Sequence, residues 1–240
     1  MIDPSCLVVG HRVPSLRHRM TAQPAPVCSH GGVRSWSVVV PAKRLALAKT
    51  RLRPATGGAG PAHDELVLAL LADTVAAALA CSEVGSVLVV TDDPVARDVV
   101  RTLGAGTVAD EPDDGLNAAL EHGARLAAGP AVAALSSDLP ALRPEELAAA
   151  LTAAGGAPRC FVPDAPGTGT TLLTALDTPL RPHFGRESAR AHHASGAVAL
   201  AGPWPGLAQD VDTEADLRAA LALGVGPRTE FLAGHLRAAR

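Results

Sequence analysis

Short apolar runs alternate along the chain with longer stretches in which leucine and valine recur at helical spacing, a pattern that predicts β and α units in alternation. Ser37-Val38-Val39-Val40-Pro41 predicts a first buried strand, since three β-branched residues run into a proline that ends the ladder. Leu66, Leu70, Leu71, Val75 and Leu79 lie at near-helical spacing and predict a long helix from Asp64 to Ala80. Ser86 to Thr91 predicts a second buried strand. Asp93-Pro94 supplies an N-cap and a first-turn proline for a helix that closes near Gly104, and a short strand spans Gly106 to Ala109. Leu116, Leu120 and Leu126 mark a helix, the run from Ala131 that ends at Asp138 a strand, Pro144 to Ala154 a helix and Arg159 to Pro163 a strand. A new strand follows the hydroxyl- and glycine-rich turn Gly167-Thr168-Gly169-Thr170. The predicted class is α/β, with a mostly parallel central sheet and helices on both faces.

The pattern also singles out charges. The run from Ala131 ends abruptly in Ser136-Ser137-Asp138-Leu139-Pro140, and a buried parallel strand that stops this way delivers Asp138 to the crevice where open α/β sheets hold ligands. Capping of the next helix is the alternative, but Pro144-Glu145-Glu146 begins too late for it. Asp210-Val211-Asp212 sets two acids at i and i+2, which an extended strand projects on one face. Thr213 is expected to cap the following helix, with Asp216 completing a capping box. Asp212 could serve that helix start alone; Asp210 is not explained by capping. Together Asp138, Asp210 and Asp212 are candidate ligands for a hard divalent ion such as Mg²⁺.

Lys43 and Lys49 are the only lysines in a chain with 21 basic residues, and both follow the first strand. A compact ammonium suits a phosphate oxygen reached as a point charge, and phosphate-binding loops sit at this place in α/β sheets. A solvated charged loop is the bland alternative. After the loop at Asp113-Asp114, Gly115 allows close backbone approach and Asn117 offers a donor and an acceptor, a wall for a heterocyclic base or else an ordinary acidic turn. Gly167 to Thr171, and a helix start expected over Phe184 to Arg190, suggest a second anion subsite. With a triphosphate on the lysines and a metal on the acids, the parts support nucleotidyl transfer onto a small acidic acceptor.

Composition narrows the partners. A chain of 240 residues has room for one large α/β domain or two small ones, and 48% hydrophobic content is ample for a core. Net charge is -3 and aromatics are 2%, with no tyrosine, which leaves few platforms for stacking bases and argues against nucleic acid. Charges, glycines and prolines interrupt every apolar stretch before membrane-spanning length, so no membrane association is expected. Cys6, Cys28, Cys81 and Cys160 form no CxxC pair, consistent with reduced thiols and a cytoplasmic location. The adjacent His192 and His193 diverge on a helix, so both are expected at the surface or in caps rather than on a metal. Residues 1–34 carry four prolines and several arginines without periodicity, which predicts a disordered extension before a single domain over 35–240. Met20 is a candidate alternative start within it.

Val39-Val40-Pro41-Ala42-Lys43, Ala48-Lys49-Thr50-Arg51-Leu52, Asp113 to Asn117, Ser137-Asp138-Leu139-Pro140, Gly167 to Leu173, Phe184-Gly185 through Ser188 and Asp210-Val211-Asp212-Thr213 follow one another in a familiar order. From about Trp36 to Leu223 the chain resembles the guanylyltransferases that make the GTP-activated intermediate of deazaflavin coenzyme F-420 synthesis. The resemblance implies a three-layer fold like that of the nucleotide-diphospho-sugar transferases (GT-A-like), Mg²⁺ dependence and GTP as donor. It also implies phosphoenolpyruvate as acceptor in bacterial members and 2-phospho-L-lactate in archaeal ones; the arginine- and alanine-rich composition resembles actinobacterial proteins and favours phosphoenolpyruvate. Thr170, Gly185 and Ser188 match the positions that hold phosphoenolpyruvate, and Asp138, Asp210 and Asp212 the metal acids. Asp138, Lys43 and Lys49 are the expected catalytic residues, and Pro41, Lys43, Lys49, Arg51, Gly115 and Asn117 the nucleotide-binding ones. A homodimer, and transfer of the product to the next enzyme of the pathway, are the remaining partner expectations. Molybdopterin guanylyltransferases and the cytidylyltransferases of isoprenoid synthesis share the fold, but Pro41-Ala42-Lys43 stands where they carry a glycine-rich loop. A non-catalytic nucleotide-binding regulator is disfavoured by the retained acids and lysines.

Overall fold

The computed structural model describes residues 35–42, 49–58, 60–111 and 114–238. The N-terminal extension with its expected disorder, Lys43 and Asp113 lie outside these residues.

Strand β1 (Trp36–Pro41) pairs in parallel with β2 (Val84–Val90) on one side and β4 (Ala131–Leu135) on the other. Beyond β2 lies β3 (Gly106–Val108), also parallel. On the far side β6 (Thr170–Leu176) runs antiparallel between β4 and β5 (Arg159–Pro163), and β7 (Val198–Ala199) pairs in parallel with β5. The sheet order is β3-β2-β1-β4-β6-β5-β7, so β6 alone opposes the common direction. The chain leaves β1 toward β2 and β3, then crosses back to β4. That reversal makes the β1/β4 border the switch point of the sheet, where a crevice opens beyond the carboxyl ends of the strands.

Alternation along β1 separates the two layers of core. Val38 and Val40 face α1 (Pro61–Ala80), α2 (Pro94–Leu103) and α4 (Pro144–Ala154), whereas Val39 faces α3 (Leu116–Leu126) and α5 (Ser188–Ala194) on the other side. Helix α3 approaches closely because residue 123 is glycine: a Cβ there would meet Val39 Cγ1 at 2.5 Å and Val90 Cγ2 at 2.8 Å. Helix α1 starts at Pro61, a turn before the expected Asp64, and is apolar on nearly all sides, as suits a helix between the sheet and α8 (Pro227–Ala238). The buried Asp73 of α1 accepts hydrogen bonds from the backbone amides of Arg228 (3.3 Å) and Thr229 (2.8 Å), satisfying the first turn of α8.

A third core cluster joins Leu52 and Ala55 of a 3₁₀ helix (Thr50–Thr56) to Leu66, Leu70, Val211 and Leu217. It anchors the 3₁₀ helix against α1 and α7 (Glu214–Leu223). The segment around Asp210 is not the strand that its alternation suggested. It is an irregular linker between α6 (Pro205–Ala208) and α7, because Val211 is fully buried in that cluster and its N–H donates to Asp138 O (3.1 Å) instead of entering a ladder. The expected capping box at Thr213 and Asp216 is present. Among the described residues no helix is long and apolar enough to cross a membrane, and Cys81 and Cys160 are free, buried thiols.

Candidate active site

At the switch point an open cavity of about 780 Å³, within the usual range for small-molecule sites, is lined on one wall by Pro41, Lys49, Arg51, Asp138, Asp210 and Asp212. Pro41 closes β1 and Ala42 is buried behind it. The chain returns at Lys49, which takes a left-handed conformation (φ 49°) before the 3₁₀ helix. That turn directs its ammonium to the end of β4, where Nζ donates to Asp138 Oδ2 and, at 2.5 Å, to Asp212 Oδ1. Arg51 reaches Asp212 Oδ2 at 3.3 Å from the exposed rim.

Asp138 is held from three directions. Ser136 N–H donates to Thr171 O (2.9 Å) and Leu139 N–H to the buried Thr74 hydroxyl of α1 (2.9 Å), while Asp138 O accepts from Val211. The last bond brings Asp210 and Asp212, on either side of Val211, to the strand end that carries Asp138. Burial alone would lower the pKa of Lys49, but Asp138 and Asp212 outweigh it and hold the ammonium firmly charged. Burial likewise pushes Asp212 up, yet Lys49 and Arg51 hold its carboxyl below the usual value. Asp210 shows the opposite balance: burial first, then repulsion from Asp138, raises it to about 7 against the opposing pull of Lys49. The donor set suits a hard cation, being all carboxylate oxygen and carrying more negative charge than Lys49 offsets. Among the described residues, however, no three acids stand at metal-binding distances, since Lys49 lies between Asp138 and Asp212.

The opposite wall carries hydroxyls and glycine backbone beside the charges of Asp164, Arg186 and Glu187. Because β6 runs antiparallel, its first residue, Thr170, lies level with the carboxyl end of β4, and Thr170, Gly185 and Ser188 all line the cavity. Thr170 and Ser188 are buried, and Gly185 adopts φ 131°, a conformation that favours glycine. Asp164 folds the preceding turn by accepting from Thr168 N–H (2.8 Å). The helix expected from Phe184 begins only at Ser188, since Glu187 is left-handed and breaks the run.

Asn117 lies near this wall, but its amide is committed: Nδ2 donates to Phe184 O (3.1 Å) and Oδ1 accepts from Phe184 N–H (2.8 Å). It fastens the loop before Gly185, and Leu116 and Leu120 are the α3 side chains that reach the cavity. Gly115 is exposed at the helix start with φ 87°.

The sequence model of the family described as "Guanylyl transferase CofC like" matches residues 36–197, two thirds of the chain. The chain belongs to that family. Phosphoenolpyruvate guanylyltransferase of Geodermatophilus obscurus is 72% identical over 205 residues, covering 84% of this chain and 95% of that protein. The protein of the same name from Salinispora arenicola is 56% identical over 204 residues, 83% of this chain and 94% of its own length. Among solved structures, a nucleotidyl transferase from Methanothermobacter superposes with a TM-score of 0.61 at 21% identity, over 79% of this chain and 97% of that one. A putative nucleotide-diphospho-sugar transferase from Desulfovibrio desulfuricans gives 0.59 at 17% identity, over 84% and 97%. This CofC-like chain thus has the nucleotidyltransferase fold that its motifs implied, and is a nucleotidyltransferase.

Within the CofC-like cavity, Lys49, Arg51 and the three acids gather on one wall, and Thr170, Gly185 and Ser188 on the other. Sequence reasoning missed His192. It was expected at the surface or in a cap, but it is fully buried, and only His193 is exposed. The adjacent pair hid the difference, because which of two neighbouring helical residues faces inward depends on how α5 packs.

Proposed function

We propose that the chain transfers the guanylyl group of GTP to phosphoenolpyruvate, yielding enolpyruvyl-diphospho-guanosine and pyrophosphate for coenzyme F-420 synthesis. The observation that carries this reading is one cavity with an ammonium and three acids on one wall and buried hydroxyls on the other. Relatives of 72% and 56% identity named for this activity support the choice of acceptor.

In this reading Lys49, with Lys43 and Arg51, receives the triphosphate, and Pro41 and Gly115 flank the nucleotide. Asn117 contributes by holding Phe184 rather than by touching the base. Asp138, Asp210 and Asp212 would hold Mg²⁺, which supplies charge neutralisation on phosphate oxygens when bound. Lys49 can then exchange the acids for phosphate, whose negative charge takes over their part in keeping the ammonium charged. Thr170, Ser188 and the backbone at Gly185 orient the acceptor so that a phosphate oxygen attacks the α-phosphorus of GTP. The new P–O bond forms as the bond from the α-phosphorus to the bridging oxygen breaks, and pyrophosphate departs with that electron pair. An ionised phosphate is already a nucleophile, so no general base and no covalent enzyme intermediate are needed.

The test is pyrophosphate release by purified protein with Mg²⁺, each nucleoside triphosphate and either phosphoenolpyruvate or 2-phospho-L-lactate, coupled to the next enzyme because the product is reactive. Release with GTP and phosphoenolpyruvate is expected. Preference for phospholactate would replace the acceptor, and no release from any pair would favour a nucleotide-binding regulator.

A further inference from the structure

The His192 ring lies behind the acceptor wall, among the rings of Phe184, Phe161 and His183 at centroid distances of 5.1, 5.8 and 5.9 Å. Each ring nitrogen has one partner: Nε2 stands 2.9 Å from the backbone nitrogen of His183, and Nδ1 stands 2.9 Å from Thr170 Oγ1. A backbone amide can only donate, so Nε2 must offer its lone pair, and the proton of the neutral ring is on Nδ1. The ring therefore donates to Thr170. Once Oγ1 accepts that bond, its own proton is free to point elsewhere, and Thr170 lines the cavity. The reverse tautomer would set two N–H groups against each other in a buried site, leaving both unsatisfied. Burial, with His183 and Arg159 adding to it, lowers His192 to about 4, in keeping with a neutral ring.

We propose that His192 is a positioning residue for the transfer reaction: its Nδ1–H fixes the Thr170 hydroxyl as a hydrogen-bond donor toward the anionic acceptor, while its Nε2 holds the His183 backbone that leads into Gly185. The inference rests on the assignment of this wall to the acceptor. It deepens that assignment by naming what makes a hydroxyl, able to donate or accept, a committed donor to an anion.

Two measurements test it. Nitrogen NMR of the His192 ring in the ligand-free protein should find the proton on Nδ1 and an unprotonated Nε2 at neutral pH; a proton on Nε2 would overturn the proposal whatever the substrate. In steady-state kinetics, His192→Leu should raise the KM for phosphoenolpyruvate about tenfold or more, the range for a hydrogen bond to a charged group, with the KM for GTP nearly unchanged. His192→Asn, whose amide nitrogen can stand where Nδ1 does, should recover most of the loss. Thr170→Val added to His192→Leu should weaken the acceptor little further, because both remove one interaction. Equal losses for both substrates, no recovery by Asn, or additive effects at residues 170 and 192 would overturn it. Absence of pyrophosphate release by the wild type would fail the acceptor reading, and the ring-nitrogen measurement would still uphold or sink the His192 arrangement.

Discussion

Where β1 and β4 end, the cavity wall carries Lys49, Asp138, Asp210 and Asp212, gathered from segments far apart in the sequence; where β6 and α5 begin, two buried hydroxyls and a glycine backbone stand beside Asp164, Arg186 and Glu187. The charged wall is unbalanced by itself. One ammonium serves two acids, while a third carboxyl is pushed up to about 7 by burial and by its acidic neighbours. The hydroxyl wall is ordered without a ligand, since Asn117 pins Phe184 from α3 and His192 engages both the Thr170 hydroxyl oxygen and the His183 amide. Charges that must exchange partners as substrate arrives cannot be locked in advance, whereas dipoles aimed at an anion act best when fixed beforehand.

The contrast can be broken most severely at Asp138. Asp138→Asn should lower turnover on the order of 10³-fold, the scale for loss of a fixed transition-state charge partner, while the melting temperature stays close to that of the wild type; retained turnover would remove Asp138 from the mechanism. Lys49→Ala should reduce kcat/KM for GTP by roughly 10²-fold and leave the acceptor KM nearly unaltered. The reverse pattern would mean that the two walls had been assigned the wrong way round. On the hydroxyl wall, acid should act through His192, whose pKa falls from an ordinary 6.5 to about 4. Between those values the unfolded chain binds the proton and the folded one does not, so this contribution is present above pH 6.5 and is lost as pH falls toward 4. Denaturant titrations across that window should show the wild type losing on the order of 2 kcal/mol more than His192→Asn. The smallest expected change is at Ser188: Ser188→Ala should raise the acceptor KM roughly tenfold and spare GTP, as initial-rate kinetics with each substrate varied would show.

Much of this was legible beforehand because it is local. Val38, Val39 and Val40 stopped by Pro41, the Asp93-Pro94 helix start and the Thr213–Asp216 capping box each depend on a few adjacent residues, and all occur as expected. Asp138 was legible for the same reason, an acid at the end of a buried run. The strand expected at Asp210 was not there, because a period of two shows only that Val211 points inward and its neighbours outward, and an irregular linker over a buried valine does the same. Asn117 looked available for a base because sequence cannot show that Phe184 claims both of its polar atoms.

From the sequence alone came the alternating α/β plan, the strand-end acid, the isolated lysine pair and the motif order that marks the family, since each resides in periodicity, punctuation or residue type. Tertiary structure alone decided that β6 runs against its neighbours and so carries Thr170 to the carboxyl ends of the others, that one hydrogen bond from Val211 joins two acids to a third, and that His192 faces inward while His193 does not. Strand direction, register and helix rotation follow from how separate elements bury their apolar faces against one another, and that packing is settled only when the whole core closes.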